Sequence, residues 1–428
     1  MELRKKIFSV RLSDNYRHKI LIFLGIKIKI STKQKITNKD RKEYIDYVLN
    51  HSLDKSKFVP ETDTPYSGDL PVKLISWYLP QYHNFDVNVK WFGKGFSEWS
   101  NTSKAVPQFT GHWQPHVPID VGFYNLETSD IMKRQIELAK KYGIYGFGFY
   151  YYWFSGQKVM EKPLENFLKD KSLDMPFFLF WANENWTRLW GGGSLKEVLF
   201  EQKLLDDDDE KFMADALPYM KDDRYIKIDN KPVLVIYQPN IFDNERYLKF
   251  VKRINEIACE NGFDGIYLMA TFTRNFRNCL EEYRTKHNID AIFEFIPRGF
   301  TDKIEVTFKK IMNKNFKGIV YDVDDWVKNK KYFYETDCKK LFKGVFPNWD
   351  NTARKCDIGC FILQNSVKNY KTWLKDIINW TKENYKKNER FVFINAWNEW
   401  AEGAHLEPDQ KHGYAYLQAT KEALEECG

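Results

Sequence analysis

The stretch "FVFINAWNEWAEG" (Phe391–Gly403) joins a short apolar run to a cluster of carboxylates and indoles. The apolar half, rich in aromatic and branched residues, predicts a strand that is covered on both faces. Glu399 and Glu402 follow directly, and Trp397 and Trp400 lie beside them in the sequence. In parallel α/β folds, functional side chains collect at the carboxyl ends of strands. The stretch therefore predicts both a fold class and a place for chemistry.

Seven similar apolar runs precede this one, and segments with apolar residues at helical spacing separate them. The runs are Lys73–Leu79, Gly146–Trp153, Pro176–Ala182, Pro232–Gln238, Gly265–Thr271, Ala291–Ile296 and Lys343–Trp349. The clearest helical segments are Ser129–Gly143, Glu245–Gly262 and Tyr370–Asn384. Eight alternating strand and helix signals predict an α/β fold, a (β/α)8 TIM barrel. A doubly wound sheet is the rival, but no Gly-rich phosphate motif follows the first run.

The length of 428 residues allows two or three average domains, or one barrel with an added segment. No linker or low-complexity tract divides residues 70–428. We therefore predict a single barrel over residues 70–428, preceded by a short basic N-terminal extension over residues 1–69. The hydrophobic content of 43% suffices for a large core, and the aromatic content of 17% suggests a stacking surface in addition.

The positive charge is concentrated at the start of the chain. Residues 1–40 hold 11 Lys and Arg against three Asp and Glu, a surplus of +8, whereas the whole chain carries +7. Such a segment indicates an anionic partner, either membrane or nucleic acid. No nucleic-acid module is evident in the remainder, so we expect peripheral contact with an anionic membrane. The apolar run Ile20–Ile26 is far shorter than the ~20 residues that span a bilayer, and Ile26–Ile30 alternates as a strand or a surface-lying stretch does.

The six cysteines show no spacing typical of a disulfide framework. Free thiols and the absence of a convincing secretory signal favour a cytoplasmic protein, with contact at the inner membrane face. Cys356 and Cys360 form a CxxxC pair without a nearby histidine, and His405 near Glu402 and Glu407 matches no common ligand spacing. We therefore expect neither a metal nor another cofactor.

Five of the predicted strands end in the same mixture of aromatic, amide and carboxylate side chains. Each group alone is consistent with simple helix capping. Five such ends together predict a carbohydrate cleft, because indoles stack on sugar faces while amides and carboxylates bind hydroxyl groups. The candidate contacts are Glu98, Asn183, Glu184, Trp186, Arg188, Glu294, Trp349, Asp350, Trp397, Asn398 and Trp400.

Glu399 and Glu402 are the candidate catalytic pair. Glycoside chemistry typically needs one carboxyl that is protonated, to donate to the leaving oxygen, and one that is ionised. Trp397 and Trp400 offer surroundings of low polarity that raise the pKa of a neighbouring carboxyl. A salt-bridged or capping pair of glutamates is the structural alternative.

Six motifs together carry a family resemblance over about residues 70–425: "YLPQYH", "WFGKGFSEWSN", "GFGFYYYWF", "FFLFWANENWTRLW", "FPNWDNTAR" and "NAWNEWAEGAHLEPD". The sequence resembles the WbsX-type proteins of bacterial surface-polysaccharide gene clusters, which are also described as glycoside hydrolase family 99-like. The resemblance implies a (β/α)8 barrel, because family 99 hydrolases are retaining endo-acting α-mannosidases on that fold. It also implies a polysaccharide or lipid-linked glycan of manno configuration, mannose- or rhamnose-like, as substrate.

The same resemblance implies roles for individual residues. Glu399 would take the proton of the substrate's 2-hydroxyl, giving a 1,2-anhydro sugar, and Glu402 would be the general acid and then the base. Tyr78, Trp99, Tyr151 and Trp186 would contact the substrate. The segment "HKILIFLGIKIKI" resembles tails found on bacterial polysaccharide glycosyltransferases.

Three functions are therefore open at the level of sequence. The first is a retaining glycoside hydrolase or transglycosidase of surface-polysaccharide metabolism, such as O-antigen or capsule. The second is a sugar-nucleotide-dependent glycosyltransferase of lipopolysaccharide synthesis, for which Asp322–Asp325 is a weak DxD-like signal. The third is a barrel that binds carbohydrate without catalysis, and the presence of both Glu399 and Glu402 speaks against it.

Overall fold

A closed barrel of eight parallel strands forms the body of the protein. The computed structural model describes residues 8–12, 18–23, 26–31, 33–188, 197–272, 278–355 and 360–428. The barrel strands are β1 Lys73–Tyr78, β2 Gly146–Phe154, β3 Phe177–Trp181, β4 Lys231–Ile236, β5 Tyr267–Thr271, β6 Ala291–Phe293, β7 Leu341–Val345 and β8 Phe391–Ile394. Parallel pairing of β8 with β1, from Phe391 opposite Lys73 to Ile394 opposite Ser76, closes the barrel. The predicted (β/α)8 fold is confirmed.

Helices lie between the strands and outside them. They are Asn38–Asn50, Asp86–Phe92, Glu98–Thr102, Asp130–Lys141, Lys162–Lys169, Asp208–Met220, Asn244–Glu260, Leu280–Lys286, Val323–Lys328, Val367–Asn384 and Ala415–Cys427. In Val367–Asn384 the residues Tyr370, Trp373, Leu374, Ile377 and Ile378 are buried, which is the spacing of one apolar helix face. The Ser366 side chain accepts a hydrogen bond from the Asn369 amide and so caps the start of that helix.

Aromatic side chains fill the barrel interior. Trp77 on β1 lies at its centre, with ring centroids 4.8 Å from Phe180, 5.0 Å from Phe293 and 5.1 Å from Phe393. A Cβ at Gly148 on β2 would lie 2.3 Å from the Trp77 ring. The glycine in "GFGFYYYW" therefore makes room for the indole that the first strand supplies.

The eight apolar runs all become barrel strands, but β7 is displaced from its predicted position. The run was expected to be a strand over Lys343–Trp349, whereas β7 ends at Val345. Pro347 lacks the amide proton that a central strand needs. Beyond it, Trp349–Asp350 pairs with Phe361–Leu363 in a small separate sheet. The loop after β7 is thereby brought over the barrel end.

The N-terminal segment forms a sheet and a helix of its own. Strands Phe8–Leu12, His18–Phe23 and Ile26–Ser31 make an antiparallel sheet, so the Ile26–Ile30 alternation is a strand. The following helix is fastened to the barrel, since the Tyr44 hydroxyl donates to the Pro107 carbonyl over 2.7 Å. In the part of the chain that the structure describes, no helix combines the length and apolar character needed to cross a bilayer. The domain boundary at residue 70 stays a prediction.

Short strands lie outside the barrel, and Trp400–Glu402 forms a 3-10 helix. The short strands are Gln157–Val159, Trp186–Thr187, Val198–Phe200, Lys227–Ile228, Ile319–Val320, Trp349–Asp350, Phe361–Leu363, Asn398–Glu399 and Ala404–His405. The pair Asn398–Glu399 and Ala404–His405 forms a tight antiparallel turn directly after β8. This turn presents the two glutamates of the opening motif.

Candidate active site

A cavity opens at the carboxyl ends of the barrel strands. Its described lining residues are Tyr150, Tyr152, Phe154, Phe180, Ala182, Glu184, Asn185, Trp186, Tyr237, Phe295, Arg298, Trp349, Glu399 and Glu402. Eight of these fourteen side chains are aromatic, and three are carboxylates. Such a mixture of flat apolar walls with a few polar groups suits a sugar, which offers both C–H faces and hydroxyl groups.

The Arg354 guanidinium joins Glu399 and Glu402, which line this cavity, to a third carboxylate, Glu98. Its Nε donates to Glu98 Oε1 over 3.0 Å, and its Nη2 makes a second, shorter contact with the same oxygen. Its Nη1 lies 2.8 Å from Glu402 Oε1, and its Nη2 lies 3.4 Å from Glu399 Oε2. These residues follow β1, β7 and β8, which are adjacent in the closed barrel. One buried cation thus holds both candidate catalytic groups and a third carboxylate.

The charge balance of this cluster favours a retained proton. Burial, reinforced by the neighbouring Glu402, raises the pKa of Glu399 to about 8 in spite of Arg354. Burial also raises the pKa of Glu98, against the opposing effect of Arg354. Arg354 carries one positive charge against three carboxylates, of which Glu98 and Glu399 are buried and Glu402 is 17% exposed, and Glu399 retains its proton near neutral pH. A site of this kind can both donate and accept protons.

Replacing Glu399 with Gln is expected to flatten the dependence of stability on pH. The folded-state pKa of about 8 exceeds the ordinary value of 4.5, so the folded protein binds this proton more tightly than the unfolded chain does. Its contribution is fully present below pH 4.5 and is lost as the pH rises to 8. Thermal unfolding of the wild type at pH 5 and pH 8 should show this loss, and Glu399→Gln should reduce it.

Glu245→Gln, at an exposed carboxylate, is the control. An unchanged slope in Glu399→Gln would contradict the burial argument.

A tight turn and Asp350 set the position of the two glutamates. Gly403 has φ of +61°, and a Cβ there would lie 3.0 Å from the Asp350 Cβ. Asp350 is itself held, since its Oδ2 lies 2.6 Å from His112 Nε2 and 2.8 Å from Gln114 Nε2. Asp350 therefore supports the turn that carries Glu399 and Glu402, at the start of the small sheet after β7.

A second buried carboxylate, Glu407, organises the indoles of the motif. It accepts hydrogen bonds from Trp397 Nε1 over 3.1 Å and from Trp400 Nε1 over 2.6 Å. Gln135 Nε2 and the Tyr124 hydroxyl also donate to it, over 2.6 and 2.9 Å. Burial raises the pKa of Glu407 to about 7. Both indoles are fully buried around this carboxylate, so they pack in the core beneath the site and do not line the cavity.

The structure brings five of the predicted site residues to the cavity wall: Glu184, Trp186, Trp349, Glu399 and Glu402. Asn398 and Trp99 lie in the packing around it. The Asn398 side chain pairs with both backbone groups of Leu79, over 2.7 and 3.0 Å, and so ties the loop after β8 to the end of β1. Trp99 Nε1 donates to the Tyr124 carbonyl, and its ring lies 5.8 Å from that of Trp400.

Other predicted contacts lie away from the cavity lining. The Tyr78 hydroxyl donates to Gln135 Oε1 over 2.6 Å inside the core. Tyr151 packs against Phe212 on the outer side of β2, with ring centroids 6.1 Å apart. Successive strand residues point to opposite faces, so the neighbours Tyr150 and Tyr152 face the cavity instead.

Three further predicted residues have partners of their own. The carboxylate of Glu294 binds Lys343 Nζ over 2.8 Å and the Tyr334 hydroxyl over 2.6 Å. The Asn183 side chain pairs with both backbone groups of Gln238, which joins the ends of β3 and β4. Arg188 is one-third exposed and pairs with Glu197 over 3.2 Å.

Four aromatic residues of the cavity wall were not predicted from the sequence, namely Tyr150, Tyr152, Tyr237 and Phe295. Strand alternation would have identified the two tyrosines on β2 if the face of that strand that points into the barrel had been known. Tyr237 and Phe295 carry a weaker signal, since each is one aromatic residue in an apolar run. The central position of Arg354 has no local signal, because its partners come from other loops.

No group of three or more His, Cys, Asp or Glu side chains suited to a metal ion occurs within the described ranges. His405, considered above as a ligand, is engaged otherwise: its Nε2 lies 2.8 Å from His116 Nδ1 and its Nδ1 lies 3.0 Å from the Glu407 carbonyl. Cys356 of the CxxxC pair lies outside the described residues.

A protein-family model described as Glycosyltransferase WbsX matches residues 74–420, a range that holds the candidate site and all of the barrel strands except Lys73. The chain belongs to the WbsX family. Two proteins of Xanthomonas campestris pv. campestris, both described as uncharacterized protein WxcX, are similar. They come from strains B100 and ATCC 33913, and each is 37% identical over 88% of this chain. The match covers 52% of each relative, so the chain spans about half the length of the curated relatives it matches.

Solved structures share the fold of this WbsX protein at low sequence identity. A GH99 endo-alpha-mannosidase from Bacteroides thetaiotaomicron superposes with a TM-score of 0.50 at 12% identity, covering 84% of this chain and 98% of the mannosidase chain. A structure titled glycoside hydrolase-like protein gives a TM-score of 0.53 at 13% identity, with 86% and 98% coverage. These likenesses establish the barrel fold.

Proposed function

We propose that the protein is a retaining glycoside hydrolase or transglycosidase that acts on manno-configured glycosides in bacterial surface-polysaccharide metabolism. The observation that carries the proposal is the pair Glu399 and Glu402, which line one aromatic cavity and share the Arg354 guanidinium. Membership of the WbsX family supports a carbohydrate substrate. The fold shared with an endo-alpha-mannosidase supports the manno configuration.

In the first step, bond breaking at the anomeric carbon is balanced by two proton transfers. Ionised Glu399 takes the proton of the 2-hydroxyl, and O2 then forms a bond to C1. The bond between C1 and the leaving oxygen breaks, and protonated Glu402 supplies the proton for that oxygen. The products are a 1,2-anhydro sugar, a free leaving alcohol, protonated Glu399 and ionised Glu402. The raised pKa of Glu399 makes its carboxylate a stronger base toward a hydroxyl group, but Glu399 keeps its proton below about pH 8, so the reactive form, in which the shared proton lies on Glu402, is a minority form at neutral pH.

In the second step, water or an acceptor hydroxyl attacks C1 and the bond between C1 and O2 breaks. Glu402 takes the proton of the attacking hydroxyl, and Glu399 returns its proton to O2. Two displacements at C1 restore the original anomeric configuration, and both glutamates recover their starting protonation. The Arg354 guanidinium touches one oxygen of each glutamate throughout, so it can compensate the negative charge wherever the proton lies.

The cavity walls supply binding for the sugar. Trp186 and Trp349 offer indole faces for C–H stacking. Glu184 and Arg298 lie 3.5 Å apart on the same wall, and they offer an acceptor and a donor for hydroxyl groups. The partner we propose is therefore a polysaccharide or a lipid-linked glycan.

A sugar-nucleotide-dependent glycosyltransferase is the second candidate, and the family description favours it. The DxD-like segment offers it little support. Asp322 caps the helix Val323–Lys328 by accepting from the amides of Asp324 and Asp325, over 3.0 and 3.3 Å. Asp325 in turn forms an ion pair with Lys331 over 2.5 Å. These aspartates therefore cap and stabilise the start of a helix.

A substrate that lacks the 2-hydroxyl is expected to bind without being cleaved. Removing that hydroxyl removes the group that forms the bond to C1, so no anhydro sugar can arise. The measurement compares aryl α-mannosides and α-rhamnosides, as single sugars and as disaccharides, with their 2-deoxy analogues. Product NMR should show retention, and calorimetry with nucleotide sugars should show no binding.

The outcomes separate the three candidates. Cleavage of the 2-deoxy analogue at a comparable rate would reject the anhydro route while keeping the hydrolase. Saturable binding of a nucleotide sugar, with transfer to an acceptor, would establish the glycosyltransferase instead. Binding of glycans without turnover of any of them would indicate a non-catalytic barrel.

We also propose a cytoplasmic location with contact at the inner membrane face. Cys259, Cys279, Cys338 and Cys427 carry free thiols, which supports a reducing compartment. The surplus of positive charge in residues 1–40 supports contact with anionic lipid.

A further inference from the structure

One face of the N-terminal sheet exposes a continuous set of apolar side chains. The pairing of its second and third strands places Leu21 opposite Ile28 and Phe23 opposite Ile26, so these side chains share a face. Phe23 is 51% exposed, and Ile26, Ile28 and Ile30 are 64%, 52% and 47% exposed. We call Leu21, Phe23, Ile26, Ile28 and Ile30 the apolar face. The other side of the sheet carries Ile20, which is buried, so packing takes place on that side and leaves the apolar face outward.

Positive charge lies on this face and in the segments next to it. Residues 18–35 contain five lysines and neither Asp nor Glu. Lys19 lies opposite Ile30 on the apolar face itself, whereas Lys27 and Lys29 are paired with Ile22 and Ile20 and therefore belong to the other face of the edge strand. Long lysine side chains can extend past apolar neighbours to reach a charged boundary.

A second cavity begins at Lys33, two residues beyond the end of the third strand at Ser31. Its described lining residues include four cations, Lys33, Arg41, Lys309 and Lys314, and neither Asp nor Glu is among them. Its apolar lining residues include Phe308, Ile311, Met312 and Phe316. The nearby Asp40 is paired with Lys310 over 2.7 Å, so its charge is compensated. The cavity can hold a phosphate group together with the start of an acyl chain.

We propose that the apolar face and this cavity dock the protein on an anionic phospholipid bilayer. Phe23, Ile26, Ile28 and Ile30 enter the boundary between headgroups and acyl chains, as the apolar side of an interfacial helix does. Lys19 and the cations of the cavity bind lipid phosphates, and the cavity takes one headgroup. Strand addition by a second copy or a partner protein is disfavoured, since Lys27 and Lys29 lie along the edge strand and lysines discourage edge pairing. The lipid contact is independent of the proposed catalytic activity.

Vesicle co-sedimentation of the full chain tests the docking. Vesicles of phosphatidylcholine with phosphatidylglycerol should bind the protein, and this binding should weaken at high salt. Vesicles of phosphatidylcholine alone should bind it poorly. The triple variant Ile26→Ser, Ile28→Ser, Ile30→Ser should lower the affinity for anionic vesicles by about tenfold or more. The matched control is Ile45→Ser, Leu49→Ser, Leu53→Ser, whose side chains are 55%, 68% and 74% exposed and lie outside the sheet.

A charge variant provides a second measurement that does not alter the sheet. Lys33→Glu, Lys309→Glu and Lys314→Glu together should lower binding to anionic vesicles and reduce its salt dependence. The control with equal charge change reverses three exposed lysines elsewhere, Lys249, Lys252 and Lys387. Circular dichroism establishes that each variant is folded.

Unchanged vesicle binding by both variants would overturn the proposal, as would equal wild-type binding to the two vesicle types. Gel filtration tests whether a second copy of the chain binds to the apolar face instead of lipid. A wild-type dimer that the isoleucine variant dissociates, without vesicle binding, would assign the face to a protein interface instead.

Discussion

Glu402→Gln is expected to lower kcat on an unactivated glycoside by about 100-fold or more, the contribution that general acid catalysis typically makes. The amide keeps the size of the side chain but cannot supply the proton that the leaving oxygen needs. The contact with Arg354 over 2.8 Å involves one oxygen of Glu402 and can persist in the amide. Binding of substrate should therefore change little, and the loss should appear in kcat.

An activated aryl glycoside should recover much of the lost rate, because a good leaving group departs without protonation. Glu184→Gln is the matched control, since Glu184 lines the same cavity without contacting Arg354 among the described ion pairs. It should raise KM more than it lowers kcat. If Glu402→Gln retains more than about a tenth of the wild-type rate on the unactivated substrate, another group is the acid.

Arg354→Met should have the largest effect on stability. The side chain is 3% exposed and touches Glu98, Glu399 and Glu402. Removing one partner of a buried ion pair typically costs about 3–5 kcal/mol, because the remaining charge stays buried without compensation. We expect a loss of that order in the free energy of unfolding at pH 8, together with loss of activity.

The loss should shrink as the pH falls. Without the guanidinium, the three carboxylates gain stability by taking up protons, so the variant should approach the wild type toward pH 5. Denaturant unfolding at both pH values measures the difference. Arg134→Met is the control, because Arg134 also contacts three carboxylates but is 34% exposed. Exposed ion pairs contribute about 0–1 kcal/mol. Equal losses in the two variants would show that burial does not set the cost.

These two experiments probe different properties of one cluster. Glu402→Gln leaves the charge balance nearly intact and removes a proton donor, whereas Arg354→Met leaves the donor and removes the balancing cation. A site built for catalysis should lose rate in both variants but stability mainly in the second. If Arg354→Met lost stability while Glu402→Gln lost no rate, the cluster would be structural, which is the alternative that the sequence left open.

The proposed membrane contact places the protein at the same surface as a lipid-linked glycan, the substrate that we propose. A lipid-linked glycan is held at a bilayer surface, so an enzyme docked there meets its substrate at a raised local concentration. The two proposals fail separately, because vesicle binding needs no turnover and aryl glycosides need no membrane. A negative result for lipid binding therefore leaves the proposed glycosidase activity untouched, and the reverse also holds.

The barrel could be predicted from the sequence because its signals are local. Each strand appears as a short apolar run and each helix as a period of 3.6 residues, and both patterns depend on near neighbours in the chain. Glu399 and Glu402 could be singled out for the same reason, since they lie three residues apart and directly follow the last run. The strand boundaries were less certain. The run predicted over Lys343–Trp349 was wrong at its end because Pro347 lies within it.

The tertiary structure alone decided which groups the two glutamates meet. Arg354 comes from the loop after β7, 256 positions from Glu98 and 45 from Glu399. Only closure of the barrel, with β8 paired to β1, brings those loops to one end. The tertiary structure also decided which face of β2 points into the barrel. Alternation places Tyr150 and Tyr152 on one face of the strand, but it does not say which face is inside. Local patterns specify elements, whereas the charge balance of a buried site depends on contacts between residues far apart in the chain.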